Sequence, residues 1–351
     1  MPASPWFRRE YDSLAVISRL VLEVGNVSVV ATSDDIKTTS VVLHSESAAA
    51  AESFRVQEDG HELAVKWEED HPVDPSSDYS IEIHMPRESI DAVAFSGAGT
   101  VSVHPNTLRR SVDANLTIAS TGPGSLLVDD TDIRAGSLHL RQGGAGVLQL
   151  TCHDFVVAYE VDVQTTSTGS TVMHASSSVS ASQVTLTGSA GYTTVQVNGP
   201  VKVTDFIDLR ASKAGRVALV TQDSTTHHLA MTTTGNGAVT VNGTMHAHSV
   251  VVRGRGDGSV RVCGADGSCH ALEMDVAGNS CASVEMAATL CSVAIDGRSH
   301  VSLCKGQVVT SKTILGDAQL KTLDECAPHD HATMELVPFA ATKKTDDELE
   351  R

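Results

Sequence analysis

From Val93 to Leu303 the chain repeats one phrase: an apolar pair split by a single residue, a gap of small residues, then a second such pair. It reads "VAFSGAGTVSV" from Val93, "LTIASTGPGSLLV" from Leu116, "LHLRQGGAGVLQL" from Leu138, "VDVQTTSTGSTVM" from Val161 and "VTLTGSAGYTTVQV" from Val184. "IDLRASKAGRVAL", "LAMTTTGNGAVTV", "VVVRGRGDGSVRV", "MDVAGNSCASVEM" and "VAIDGRSHVSL" follow from Ile207, Leu229, Val250, Met274 and Val293. Successive starts differ by 23, 22, 23, 23, 23, 22, 21, 24 and 19 residues. The two pairs are 8 residues apart in most units and 6 in the first and last.

Residues i and i+2 share one face of a strand, so each pair marks a short strand with an apolar side. One such unit cannot close a core. Stacked units can, with equivalent residues ~4.8 Å apart and backbone hydrogen bonds running from unit to unit. The expected fold is all-β: a right-handed parallel β-helix, or solenoid, of about ten coils of ~22–23 residues. Leu116, Leu138, Val161, Val184, Ile207, Leu229 and Val250 should form one inward ladder, on which an unpaired charge would cost several kcal/mol. Glycines in the gaps are corners, where tight bends need backbone angles that glycine adopts without steric cost. A leucine-rich repeat is excluded because its L-x-x-L-x-L-x-x-N pattern is missing.

Composition agrees. Aromatics are only 3% of the residues, so Val, Leu, Ile and Ala must fill the core. The formal charge of −18, with no basic patch, argues against nucleic-acid and anionic-membrane partners. No run reaches the roughly 18 apolar residues of a membrane span, and "MPASPWFRRE" does not read as a signal peptide. Of seven cysteines, Cys152 stands alone, while Cys263, Cys269, Cys281, Cys291, Cys304 and Cys326 crowd the last quarter. They read either as buried small side chains or as a disulfide-stapled end. No CxxC is present, so a structural zinc site is not expected. Asn26, Asn115 and Asn242 are N-glycosylation acceptors should the chain be secreted.

The domain reading is a tail over 1–12, N-terminal strands and a cap over 13–88, regular coils over 89–326, and a C-terminal cap with a charged tail over 327–351. The stretches "NVSVVATSDD", "FRVQEDGHELAVKW", "YSIEIHMP" and "SIDAVAFSGAGTVSV" resemble the autotransporter-adhesin head domain known as the GIN domain. That family shows a strand ending in proline, then l-x-x-l-x-l-S-G-a-G-x-v. Met85-Pro86 and Ser96-Gly97-Ala98-Gly99 fill those roles across a match of roughly 13–220. The resemblance implies a right-handed β-helix-like fold, an adhesive role and an extracellular or cell-surface location, and it carries no catalytic residues. This chain departs from the pattern in showing no recognisable export signal, in its extra coils and in its late cysteines; either it is cytoplasmic or the signal is absent from this version of the sequence.

Candidate chemistry is sparse. His139, Asp162, Thr185 and Asp208 fall on one outward row, which sets Asp162 and Asp208 two coils apart, at ~9.6 Å. Inverting glycoside hydrolases hold their carboxylates ~6.5–9.5 Å apart. The two aspartates therefore carry the alternative reading, a β-helical polysaccharide-degrading enzyme. His227 and His248 should stack, and His246 nearby raises a zinc or copper site, weighed against a plain surface histidine ladder. Arg255-Gly256-Asp257 could serve as an adhesive turn, but it lies at a corner that wants glycine anyway. His329 and His331 fall in the tail. No cofactor, no metal and no catalytic residue is assigned. The leading expectation is a non-enzymatic, adhesin-like or scaffold solenoid that presents a polar Ser/Thr-rich flank to a glycan or a surface protein.

Overall fold

The computed structural model describes residues 7–33, 36–68, 78–264, 266–304, 307–323 and 336–338. The chain is a parallel β-solenoid of about ten turns. Each regular coil has three walls. The strand Val147–Thr165 runs through all of them, with irregular pairing at its corners between Cys152 and Asp154 and between Val156 and Glu160. In a typical coil the first wall is Leu138–Gln142, the second Val147–Cys152 and the third Asp154–Val157.

The inward ladder forms as the repeat requires. Leu116, Leu138, Val161, Val184, Ile207, Leu229 and Val250 are partners in successive coils. Two residues along runs a second row: Leu63, Leu20, Val93, Ile118, Leu140, Val163, Leu186, Leu209, Met231, Val252, Met274 and Val293. All of these are buried. Full burial of each such side chain is worth about 1.5–3 kcal/mol, so the stack is held mainly by its hydrophobic interior.

The register differs from the sequence alignment at both ends. Val93 pairs with Ile118, not Leu116, and Val250 pairs with Leu272, not Met274. A first-wall strand has three inward positions, so a V-x-V pair alone leaves a two-residue ambiguity. Phe95 occupies the third position of its coil, above Ser120. Counted from Val93 to Val101, that coil has the same 8-residue spacing as Ile118 to Leu126.

Glycine works at the corners in two ways. In the early coils the turns pass so close that no side chain fits, as a Cβ on Gly146 would lie 1.8 Å from the Gly124 carbonyl oxygen. In the late coils one corner is left-handed, with Gly256 at φ +92° in register with Gly235 and Gly278, also at positive φ.

The N-terminal part is not a simple opening coil. Residues 7–12, read as tail from sequence, belong to the strand Phe7–Ser13, antiparallel to Thr39–Ser45, which runs antiparallel to Tyr79–Met85. Phe54–Asp59 closes the edge of Glu62–Trp67 in the same manner. Such antiparallel cover ends the stack without an open parallel edge. The scarce aromatics gather here, Phe54 against Trp67 at 5.7 Å and Trp67 against Tyr79 at 5.0 Å, both edge-to-face. The coil Arg19–Ala31 lies between the strands Glu62–Trp67 and Tyr79–Met85 on one side and Ala92–Phe95 and Thr100–Val103 on the other. Stacking order therefore departs from chain order at this end.

Candidate functional site

The first wall turns its outer rows to solvent. His139, Asp162, Thr185 and Asp208 stand on consecutive rungs, as their spacing predicts. Beside them run Arg141, Gln164, Thr187 and Arg210. Asp162 is only 7% exposed. Its Oδ2 accepts from Arg141 Nη2 at 2.5 Å, and Gln164 Nε2 lies 3.4 Å from both carboxylate oxygens. Asp208 accepts from Arg210 on its own strand. Farther along, Arg255 donates to Asp275. The two candidate carboxylates thus share a row, but each is tied to its own guanidinium. Each carboxylate is thus fixed in place by its guanidinium, and the two do not converge on a common point.

The histidines stack. The His227 and His248 rings lie 4.9 Å apart and 2° from parallel, and His270 extends the column at 5.3 Å from His248. His270 went unread from sequence, although it sits 22 residues beyond His248, one more repeat. His246 stands outside the column, its Nδ1 2.9 Å from Ser268 Oγ. Parallel rings aim their nitrogen lone pairs side by side, whereas zinc needs ligands that converge. Among the described residues no group of three or more His, Cys, Asp or Glu is placed to hold a metal ion.

In the Arg-Gly-Asp turn both charged groups are engaged, Arg255 with Asp275 and Asp257 with Asn279 Nδ2 at 2.8 Å. The glycosylation acceptors Asn26 and Asn115 are exposed, and Asn242 is half-buried. Among the described residues Cys152, Cys269, Cys281, Cys291 and Cys304 are free thiols. Cys152, Cys269 and Cys291 are buried as small apolar side chains. Burial pushes the Cys152 thiol well above its ordinary value, and burial with Cys291 nearby raises Cys269 to about 11. Cys326, His329 and His331 lie outside the described residues.

The second wall carries a feature that the sequence did not signal. Leu127, Gln149, Val172 and Thr194 occupy successive outward rungs, yet they are 2%, 3%, 1% and 4% exposed. Gln149 Nε2 donates to the Val337 carbonyl oxygen at 3.1 Å, and its Oε1 accepts from the Val337 N–H at 2.9 Å. Two histidines on this flank are shielded. Burial holds His104 below its ordinary value, and it holds His174 down against an opposing hydrogen bond with Asn198.

No protein-family model matches the chain, and no curated protein matches it. Among solved structures it is similar to a "putative adhesin" from Parabacteroides distasonis ATCC 8503, at 11% identity and a TM-score of 0.34 over 92% of this chain and 98% of that one. A "putative adhesin" from Parabacteroides merdae ATCC 43184 gives 11% identity and a TM-score of 0.33 over 92% and 97%. A "Putative lipid binding protein" from Parabacteroides distasonis ATCC 8503 gives 8% and 0.33 over 92% and 98%.

Proposed function

We propose that the chain is a non-enzymatic, adhesin-like or scaffold solenoid whose first-wall flank is a rigid ledge for a partner on a surface, in keeping with an extracellular or cell-surface location. The observation that carries this reading is the pairing of charge along the flank. Asp162 with Arg141, Asp208 with Arg210 and Asp275 with Arg255 neutralise one another in place. Hydroxyl groups at Thr117, Thr185, Thr187 and Thr232 share the same two rows. Fixed, neutralised polar groups on a ~4.8 Å spacing suit hydrogen bonding to a polyol. A glycan is therefore the partner this flank fits best, and a surface protein is the competing one.

The enzyme reading needs one free acid and one free base, and neither aspartate is free of its arginine. The test is a glycan array probed with the wild-type chain and with Thr185→Arg, which crowds the ledge without touching the core. Binding by the wild type and its loss in the variant supports the ledge. A blank array alongside capture by an immobilised surface protein would replace the glycan with a protein partner. Release of reducing ends from a polysaccharide by the wild type but not by Asp162→Asn would establish the enzyme instead.

A further inference from the structure

Strand alternation places Leu127 and Val172 opposite the core, and neither belongs to the interior cluster that buries their neighbours Leu126, Val128 and Met173. Their burial comes from outside the solenoid. Along the same row cover fades after Thr194, for Ala218 and Thr240 are half-buried and Arg261 is exposed. The covered stretch is thus a few rungs long, with Gln149 between two aliphatic side chains.

What is seated there is known at one point. The carboxamide of Gln149 satisfies both the N–H and the C=O of Val337, as a neighbouring strand would. Recognition through the backbone reads extended conformation rather than side-chain identity. The adjoining outward row repeats the invitation. His174 Nδ1 and Gln196 Oε1 are partners in register, both buried and without a hydrogen-bond partner among the described residues. Buried polar atoms are normally satisfied, so two hydrogen-bond partners are missing beside the covered row, one of them a donor for the Gln196 oxygen.

We propose that the outer flank of the second wall is a peptide-binding ledge for an extended, apolar segment, and that Leu336–Pro338 is its resting occupant, a strap that a partner's segment must displace. Gln149 grips the backbone, Leu127 and Val172 supply the apolar floor, and His174 and Gln196 wait for groups that a longer ligand brings. Because the strap belongs to the same chain, it competes at high effective concentration, and the ledge stays closed to weak ligands. This site lies on a different wall from the glycan ledge and does not depend on it.

The probe is a fluorescein-labelled peptide with the sequence of residues 334–340, MELVPFA. Polarisation is read on three full-length proteins of matched circular dichroism. Wild type should bind weakly. Val337→Pro deletes the N–H that Gln149 accepts and frees the ledge, so it should bind the peptide at least ten-fold more tightly. Adding Gln149→Leu to Val337→Pro should remove that gain. Equal binding by wild type and Val337→Pro, absence of binding to both, or a gain that survives Gln149→Leu would each overturn the proposal.

Discussion

Lys312 sits directly over Val293, on a row that is apolar in every earlier coil. The last described rung of that ladder therefore carries a charge where a hydrophobic side chain would invite another coil. A charge at a sheet edge blunts pairing with a second chain. Val293→Lys, one coil deeper, should cost several kcal/mol and lower the melting temperature sharply, because its ammonium has no route to water. Lys312→Val should leave the fold intact and promote end-to-end association, seen as a larger species in sedimentation velocity.

A second prediction concerns the hydroxyls inside the coil. Thr165 Oγ1 lies 2.7 Å from Thr171 Oγ1 and accepts from Thr193 Oγ1 at 2.8 Å, all fully buried. Thr165→Val should cost about 1–3 kcal/mol by stranding the Thr171 hydroxyl. Combining it with Thr171→Val should recover part of that loss. A double-mutant cycle in urea is the measurement.

Protonation offers a third. His104 and His174 are held neutral by burial, so their folded values lie below the unfolded value of about 6.5. Unfolding then takes up protons between those values. Stability is complete above about pH 6.5 and falls as the pH drops through the folded values. Replacing both by glutamine should flatten the urea midpoint between pH 7.5 and 5.

The thiols give a fourth. Cys281 is exposed, whereas Cys152, Cys269 and Cys291 are buried, and burial raises the pKa of all three. The thiolate is the reactive form. In native protein at pH 8, a thiol reagent should modify Cys281 quickly and leave these three unmodified until denaturant is added. Peptide mapping of the labelled sites decides it.

The stack was legible because apolar pairs on a constant spacing have one physical use. Leu116 through Val250 fell into line from their positions alone. At Val93 and Val250 the same signal was ambiguous by two residues, since any of three inward positions can hold the apolar pair. The outward row of Asp162 and Asp208 was legible from that spacing, but its arginine partners were not, because ion pairs leave no periodic trace. The strap was invisible for a related reason. Gln149 meets Val337 through backbone groups, and backbone contacts write nothing into side-chain pattern. The interposed coil Arg19–Ala31 was hidden too, as its V-x-V pairs fit any neighbour equally well.

That coil has a consequence for assembly on the ribosome. Its strand Arg19–Leu22 bonds to Glu62–Val65 along one edge and to Ala92–Phe95 along the other. The nascent chain cannot complete it as it emerges, and it must wait until translation has passed Val103 before both flanks are closed. The amino-terminal block can therefore close only as a unit, and the coil that begins at Ser111 has no complete neighbour to pair with until it has closed.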